Sequence, residues 1–193
     1  MMDTQFYLAS ASPRRRQLLE QLGLSFEVVV ADVDESVRTG ESPGDYVLRV
    51  ARAKAEAAVG RLGTPRLPVL AADTAVVLDG RILGKPRSRD EALEMLAQLG
   101  GRRHQVSSGV VLWSRDGVRT ALSESQVRFR AISRDEALAY WHSGEPKDKA
   151  GGYGIQGLGA VFVEHVEGSY SGVMGLPLFE TAALLKEAGI GVF

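Results

Sequence analysis

Four groups of residues in this 193-residue chain carry side chains suited to chemistry. The first is Ser10-Ala11-Ser12-Pro13-Arg14-Arg15-Arg16. Ser12 reads as a helix N-cap and Pro13 as the first helical residue. Arginines in a first helical turn face the positive end of the macrodipole, an unfavourable place for cations. Free backbone N–H groups and converging guanidinium groups there suit a polyphosphate; in the other reading the arginines splay into solvent. The second group is Lys54, which shares a helical face with Val47, Val50, Ala51 and Ala58. A lysine at such a position either snorkels out or meets an anion in a cleft.

The third group joins Ala71-Ala72-Asp73-Thr74 to Gly84-Lys85-Pro86. An ionised aspartate inside an apolar strand is costly unless it is paired or metal-bound. An Asp79-Gly80 hairpin turn sets 78 opposite 81 and therefore 74 opposite 85. Strict alternation then puts Asp73 and Lys85 on opposite faces, so a bulge or an early strand end is needed to bring them together. A structural ion pair is the competing reading. The fourth group is Asp148-Lys149-Ala150-Gly151-Gly152-Tyr153-Gly154-Ile155-Gln156-Gly157-Leu158-Gly159. Its glycines allow the backbone close to a ligand, and Gln156 offers the donor and acceptor needed to read a base edge. It matches neither a Walker loop nor a dinucleotide fingerprint, and a flexible connector is the alternative. His104, His142 and His165 lack metal-ligand spacing and read as core or surface residues, as do Trp113 and Trp141 as core or interface residues.

Elements that would position these groups alternate between strand and helix. Gln5 to Ala9 reads as a strand, 13–22 as a helix stopped by Gly23, and Phe26 to Ala31 as a second strand. Ser42-Pro43 starts a helix to about Val59, closed by Gly60. Val69 to Leu78 turns at Asp79-Gly80 into Arg81-Ile82-Leu83. Ser88 with Glu91 and Ser133 with Glu136 form capping boxes for helices ending near Gly100 and Gly144. Between them, Val106 to Trp113 and Val118 to Arg130 form a hairpin. A strand at 160–166 and a helix from about Pro177 to Ala188 complete the chain. The pattern predicts a single α/β domain over 1–193, with a mixed central sheet flanked by helices and a cleft where strand ends meet helix starts.

Composition bounds the partners. The chain is 45% hydrophobic and 24% charged, with 23 Lys+Arg against 24 Asp+Glu and a formal charge of −1. Such a balance gives no field for nucleic-acid or membrane binding. Absent cysteine excludes disulfides, thiol catalysis and cysteine-based zinc sites. No apolar run approaches the roughly 18 residues of a membrane span and no basic-then-apolar leader opens the chain, so a soluble, cytoplasmic protein is expected.

Taken together, Leu8-Ala9-Ser10-Ala11-Ser12-Pro13-Arg14-Arg15, Val33-Asp34-Glu35, Ala51-Arg52-Ala53-Lys54-Ala55, Ala72-Asp73-Thr74 and Gly84-Lys85-Pro86 occur in the order found in Maf proteins, and the chain resembles that family nearly throughout. The resemblance implies an inosine-triphosphatase-like (Maf/HAM1) fold, with a nucleotide cleft between two lobes. It implies hydrolysis of a nucleoside triphosphate to the monophosphate and pyrophosphate, with Mg²⁺ or Mn²⁺ as cofactor and a homodimer as the assembly. Asp148 to Gly157 looks like the branch acting on dTTP and UTP, and modified pyrimidine nucleotides are further candidates. By the same resemblance Asp73 is the proton acceptor, and Arg14, Thr74 and Gln156 bear on substrate choice. Ser10, Arg15, Lys54, Lys85 and Lys149 would contact the triphosphate, and Glu35 and Asp73 would support the metal. The alternatives are a pyrophosphatase for another base and a nucleotide-binding regulator of cell division.

Overall fold

In the computed structural model, which describes residues 3–30 and 32–193, one strand organises everything else. This is β3 (Val69–Leu78), whose residues are buried at every position except Thr74. Continuous burial means that both faces of the strand are covered. Its odd-numbered residues Val69, Ala71, Ala75 and Val77 pack against Val47, Val50, Ala51, Ala55 and Ala58 of α2 (Pro43–Leu62). Its even-numbered residues Leu70, Ala72, Val76 and Leu78 join the larger core on the other face, with Phe6, Leu19, Leu96, Leu112, Phe129 and Leu185.

Among the described residues the sheet has seven strands. Its order is β2 (Phe26–Val28), β1 (Phe6–Leu8), β3, β5 (Arg103–Ser114), β6 (Gly117–Phe129), β7 (Val163–Glu167), and β4 (Arg81–Leu83) also pairs with β3. β1 runs parallel to β2 and β3, and the remaining pairs are antiparallel, so the sheet is mixed. β1 and β4 approach the same edge of β3 from opposite ends. β1 pairs with Val69 and Leu70, and β4 pairs with Val76, Val77 and Leu78. Among the described residues, no strand pairs with the stretch 71–75 between them on that edge. Its centre is Asp73-Thr74.

Helices α1 (Pro13–Gln21), α3 (Arg89–Leu99), α4 (Arg134–His142), α5 (Tyr170–Met174) and α6 (Leu178–Glu187) complete the chain. Local capping explains several of their starts. Ser42, Ser88 and Ser133 each accept the N–H three residues on, each such cap being worth about 1 kcal/mol. Only Ser133-Glu136 closes a full box, because the Glu91 carboxylate turns to the backbone and side chain of Arg87 instead. Close approach of α2 to the sheet requires Gly109 on β5, where a Cβ would lie 2.9 Å from the Val47 backbone.

Several expected boundaries shift. α2 continues through Gly60 to Leu62 and stops at Gly63, whose φ is +76°, because packing outweighs the roughly 1 kcal/mol cost of an interior glycine. β2 ends at Val28; Ala31, placed in that strand by sequence, lies outside the described residues. β5 begins at Arg103 rather than Val106. The stretch read as a strand from 160 is a 3₁₀ segment over Leu158–Phe162, and the strand starts at Val163. There the exposed Val161 beside the buried Phe162 imitated strand alternation. Helix α5, capped by Ser169, is too short to leave a periodic pattern. Among the described residues no helix is long and apolar enough to cross a membrane.

Candidate active site

A cleft of about 690 Å³ opens at the gap on the β3 edge, a volume typical of small-molecule sites. Ser10, Arg14, Arg15, Glu35, Lys54, Asp73, Thr74, Lys85, Lys149 and Gln156 all line it. The residues singled out in the sequence therefore come together, from six separate stretches of chain.

Asp73 and Lys54 are brought together by the packing of α2 on β3. The same odd-numbered face that packs Ala71 and Ala75 against α2 carries Asp73, and Lys54 lies on the matching face of the helix. Its ammonium donates to Asp73 Oδ1 at 2.8 Å and lies 2.6 Å from Glu35 Oε1. Lys54 thus reaches an anion rather than snorkelling into water. Glu35 itself sits in a loop fixed by the Tyr46 hydroxyl, which donates to the Glu35 carbonyl at 3.0 Å. Burial pulls the Glu35 carboxyl upward, but the Lys54 hydrogen bond and the charges of Lys54, Lys85 and Arg15 outweigh it and hold it below its ordinary value. Burial, and then the charges of Asp73 and Glu35, push the Tyr46 phenol up to about 12.

Lys85 corrects the hairpin extrapolation. The register 78 opposite 81 is present, but pairing ends at Val76 with Leu83, so Lys85 never faces Thr74 across a ladder. Gly84 onward turns away and accepts the Gly151 N–H at 3.0 Å, and Lys85 meets Glu35 Oε2 at 3.8 Å.

The three arginines divide their labour. Arg14 lines the cleft and stands 3.8 Å from Asp148. Arg15 is buried, and donates through Nε to the Gly175 carbonyl at 2.8 Å, through Nη1 to Ser10 Oγ at 3.1 Å and through Nη2 to Thr74 Oγ1 at 3.5 Å. Burial pulls its guanidinium below its ordinary value, with Asp73 opposing. A guanidinium has five N–H groups, so two remain for a ligand. Arg16 is exposed and does not line the cleft. The Ser12 side chain makes no capping bond; instead its N–H donates to Ser10 Oγ at 3.2 Å.

Thr74 lies on the opposite face of β3 from Asp73, directly across from Ser108 of β5. Ser108 Oγ donates to the Gly172 carbonyl at 2.7 Å and lies 2.8 Å from Thr74 Oγ1. Its single proton goes to the carbonyl, which can only accept, so Thr74 is the donor in the Thr74–Ser108 bond. Toward the cleft Thr74 therefore presents acceptor capacity alone.

Lys149 is less free than its sequence context suggests. Nζ donates to the Glu145 carbonyl at 2.7 Å and to Asp148 Oδ1 at 2.8 Å. Gln156 is exposed on the loop rim. The cleft lining holds five cations (Arg14, Arg15, Lys54, Lys85, Lys149) against four carboxylates (Asp32, Glu35, Asp73, Asp148). A phosphate chain would thus compete with carboxylates for ammonium groups already in ion pairs.

The sequence reading does not single out Glu145, Tyr46 or Ser108. Glu145 sits in Gly144-Glu145-Pro146, which reads as a turn, and the pairing of Ser108 with Thr74 depends on a register that no local motif encodes. Of the histidines, His104 is buried, 2.7 Å from the Tyr153 hydroxyl, while His142 and His165 are exposed.

The family described as Maf-like protein matches residues 5–188. A dTTP/UTP pyrophosphatase of Methylobacillus flagellatus is 55% identical over 189 residues, covering 98% of this chain and 95% of that relative. One of Nitrosomonas europaea is 54% identical over 97% of this chain and 96% of that relative. Among solved structures, a HAM1 protein from Coxiella burnetii superposes with a TM-score of 0.50 at 16% identity, over 96% of this chain and 100% of that one, a likeness of fold. With residues 5–188 matched, and more than half of the aligned positions identical in these two relatives, the chain belongs to the Maf family.

Proposed function

We propose that this chain is a nucleoside triphosphate pyrophosphatase that hydrolyses dTTP and UTP to the monophosphate and pyrophosphate. The carrying observation is the Lys54–Asp73 pair at 2.8 Å, set within a nucleotide-sized cleft also lined by Arg14, Arg15, Lys85 and Lys149. Relatives over half identical and named dTTP/UTP pyrophosphatase supply the substrate class.

Hydrolysis of a phosphoanhydride needs charge neutralisation and an aligned water more than a protein nucleophile. Asp73, kept next to an ammonium, is the acceptor for the water proton as the new P–O bond forms and the bridging P–O bond breaks. Arg14, Lys54, Lys85 and Lys149 neutralise the phosphate oxygens, and the two remaining N–H groups of Arg15 join them. Ser10 holds Arg15 in place. Thr74 accepts a hydrogen bond from the nucleotide, and Gln156 reads the base.

A divalent cation, Mg²⁺ or Mn²⁺, fits the donor set. Glu35 and Asp73 are hard oxygen donors that converge on the same ammonium, and one or two carboxylates completed by substrate phosphates is the usual Mg²⁺ arrangement. Held there, the ion would supply further neutralisation of phosphate charge. A single domain over 1–193, a cytoplasmic location and a homodimer belong to the same reading, as does the absence of nucleic-acid and membrane partners; light scattering tests the dimer.

The deciding experiment presents dTTP, UTP, CTP, GTP and modified pyrimidine triphosphates with Mg²⁺ or Mn²⁺ and separates the products. Monophosphate and pyrophosphate from dTTP and UTP are expected. Diphosphate plus phosphate, or no turnover of any nucleotide, would overturn the assignment.

A further inference from the structure

The loop that carries Gln156 is suspended from one carboxylate outside the cleft lining. Glu145, in the 3₁₀ segment Glu145–Asp148 after α4, accepts the Leu158 N–H at Oε2 (2.8 Å) and the Gly159 N–H at Oε1 (3.0 Å). Oε1 also accepts the Tyr140 hydroxyl at 2.7 Å, and that hydroxyl accepts the Gly154 N–H at 3.0 Å. Both ends of the turn 154–159 therefore hang on the Tyr140–Glu145 pair, and Gln156 is at its middle. The fit is tight: a Cβ on Gly157 would overlap the Glu145 carboxylate. The same residue's backbone carbonyl takes Lys149 Nζ at 2.7 Å. One residue thus fixes a base-reading side chain through its carboxylate and a phosphate-side ammonium through its carbonyl.

We propose that Glu145, braced by Tyr140, is the positioning residue for base selection. It sets where Gln156 stands relative to Lys149, and therefore which base can be read while the triphosphate is held. The chemistry requires a carboxylate: three donors converge on two oxygens, and an amide has only one acceptor atom. In Glu145→Gln, whichever way the amide turns, its NH₂ faces a backbone N–H and one anchor of the turn is lost. Tyr140→Phe removes the Gly154 anchor while leaving the Glu145 bonds to Leu158 and Gly159.

This inference rests on the reading of Gln156 as the base-recognising residue, so the test carries Gln156→Ala alongside. Glu145→Gln and Tyr140→Phe are each expected to lower kcat/KM for UTP about tenfold more than for GTP, the size of effect that weakening one hydrogen bond gives. The double variant Glu145→Gln/Gln156→Ala should shift the UTP to GTP ratio no further than Gln156→Ala alone, as expected of residues acting in series. Amide exchange at Leu158 and Gly159 should quicken in Glu145→Gln. If Gln156→Ala shifts the ratio but Glu145→Gln and Tyr140→Phe lower both substrates in proportion, the positioning role is overturned and base reading stands. If Gln156→Ala leaves the ratio unchanged, base reading fails and the positioning role with it. Should Glu145→Gln not fold, Tyr140→Phe decides by the same ratio.

Discussion

Lys54 of α2 donates to Asp73 of β3 across 2.8 Å, and its ammonium is shared with Glu35 at 2.6 Å. The sharing makes the pair asymmetric. Neutralising Asp73 leaves Lys54 with a partner, whereas removing Lys54 leaves Asp73 buried without its cation. Asp73→Asn is therefore expected to abolish pyrophosphate release while costing less than about 1 kcal/mol of stability. Lys54→Met should cost about 3 kcal/mol, the usual penalty for orphaning a buried charge. Urea melts of the two variants, read beside pyrophosphate release, check both halves. Near-normal turnover by Asp73→Asn would remove Asp73 from its role.

Among the described residues no group of three or more Asp, Glu, His or Cys could hold a metal ion, so an ion held by Glu35 and Asp73 would draw further ligands from phosphate oxygens. The protein alone is expected to bind Mn²⁺ weakly. A non-hydrolysable α,β-imido analogue of UTP should tighten that binding at least tenfold, reciprocally for ion and nucleotide. Titration calorimetry measures both directions; equal Mn²⁺ affinity with and without the analogue would contradict shared ligation.

The Ser108 proton is spent on Gly172, so Thr74 offers the substrate an acceptor. Thr74→Val should raise KM for UTP with kcat little changed. Ser108→Ala frees the Thr74 proton, which can turn to the Gly175 carbonyl 3.4 Å away, and should raise KM by a smaller factor. Loss of the buried Ser108 bond costs about 1 kcal/mol of stability as well. Equal KM values for wild type and Ser108→Ala would mean that Thr74 orientation has no part in binding.

His104 gives the fold an acid sensitivity distinct from that of the carboxylates. Burial depresses its imidazole to about 4 from an ordinary 6.5, so the unfolded chain takes up a proton that the folded one excludes. Its contribution is full above pH 6.5 and is lost as pH falls from there toward 4. Between pH 7 and 5 the loss is about 2 kcal/mol, or roughly 4–8 °C in Tm for a chain of this size. Differential scanning calorimetry should show that slope in wild type, and a flatter one in His104→Gln. A wild-type Tm constant over that interval would contradict an excluded proton.

Much of the site was legible because each residue sat in a local anomaly. Lys54 stood on an apolar helical face, Asp73 inside an apolar strand, and arginines at a helix start that repels them. The fold class followed from alternating periodicities and from serine caps at Ser42, Ser88 and Ser133, which are local devices. What could not be read was long-range. Hairpin geometry carried Lys85 toward Thr74, but the strand stopped at Leu83, and α2 supplied the partner of Asp73. Arg15 looked like a ligand contact, and three of its five N–H groups are committed to Gly175, Ser10 and Thr74, the first of them 160 positions away. Such pairings depend on register and packing between distant segments, for which a glutamate in a turn or a serine in a strand leaves no trace.

The interrupted edge of β3 has a consequence for solubility. An uncovered strand edge is a template on which another chain can add itself, and folds commonly guard such edges with charge. Here the open stretch is only 71–75 and lies at the bottom of a concavity whose walls carry Arg15, Lys54 and Lys85. An incoming strand would have to break the ion pairs of Lys54 and Lys85 with only neutral backbone groups to offer, whereas a phosphate chain brings replacement anions. The basic side chains proposed to receive a nucleotide thus also stand where charge guards an open strand edge against self-addition.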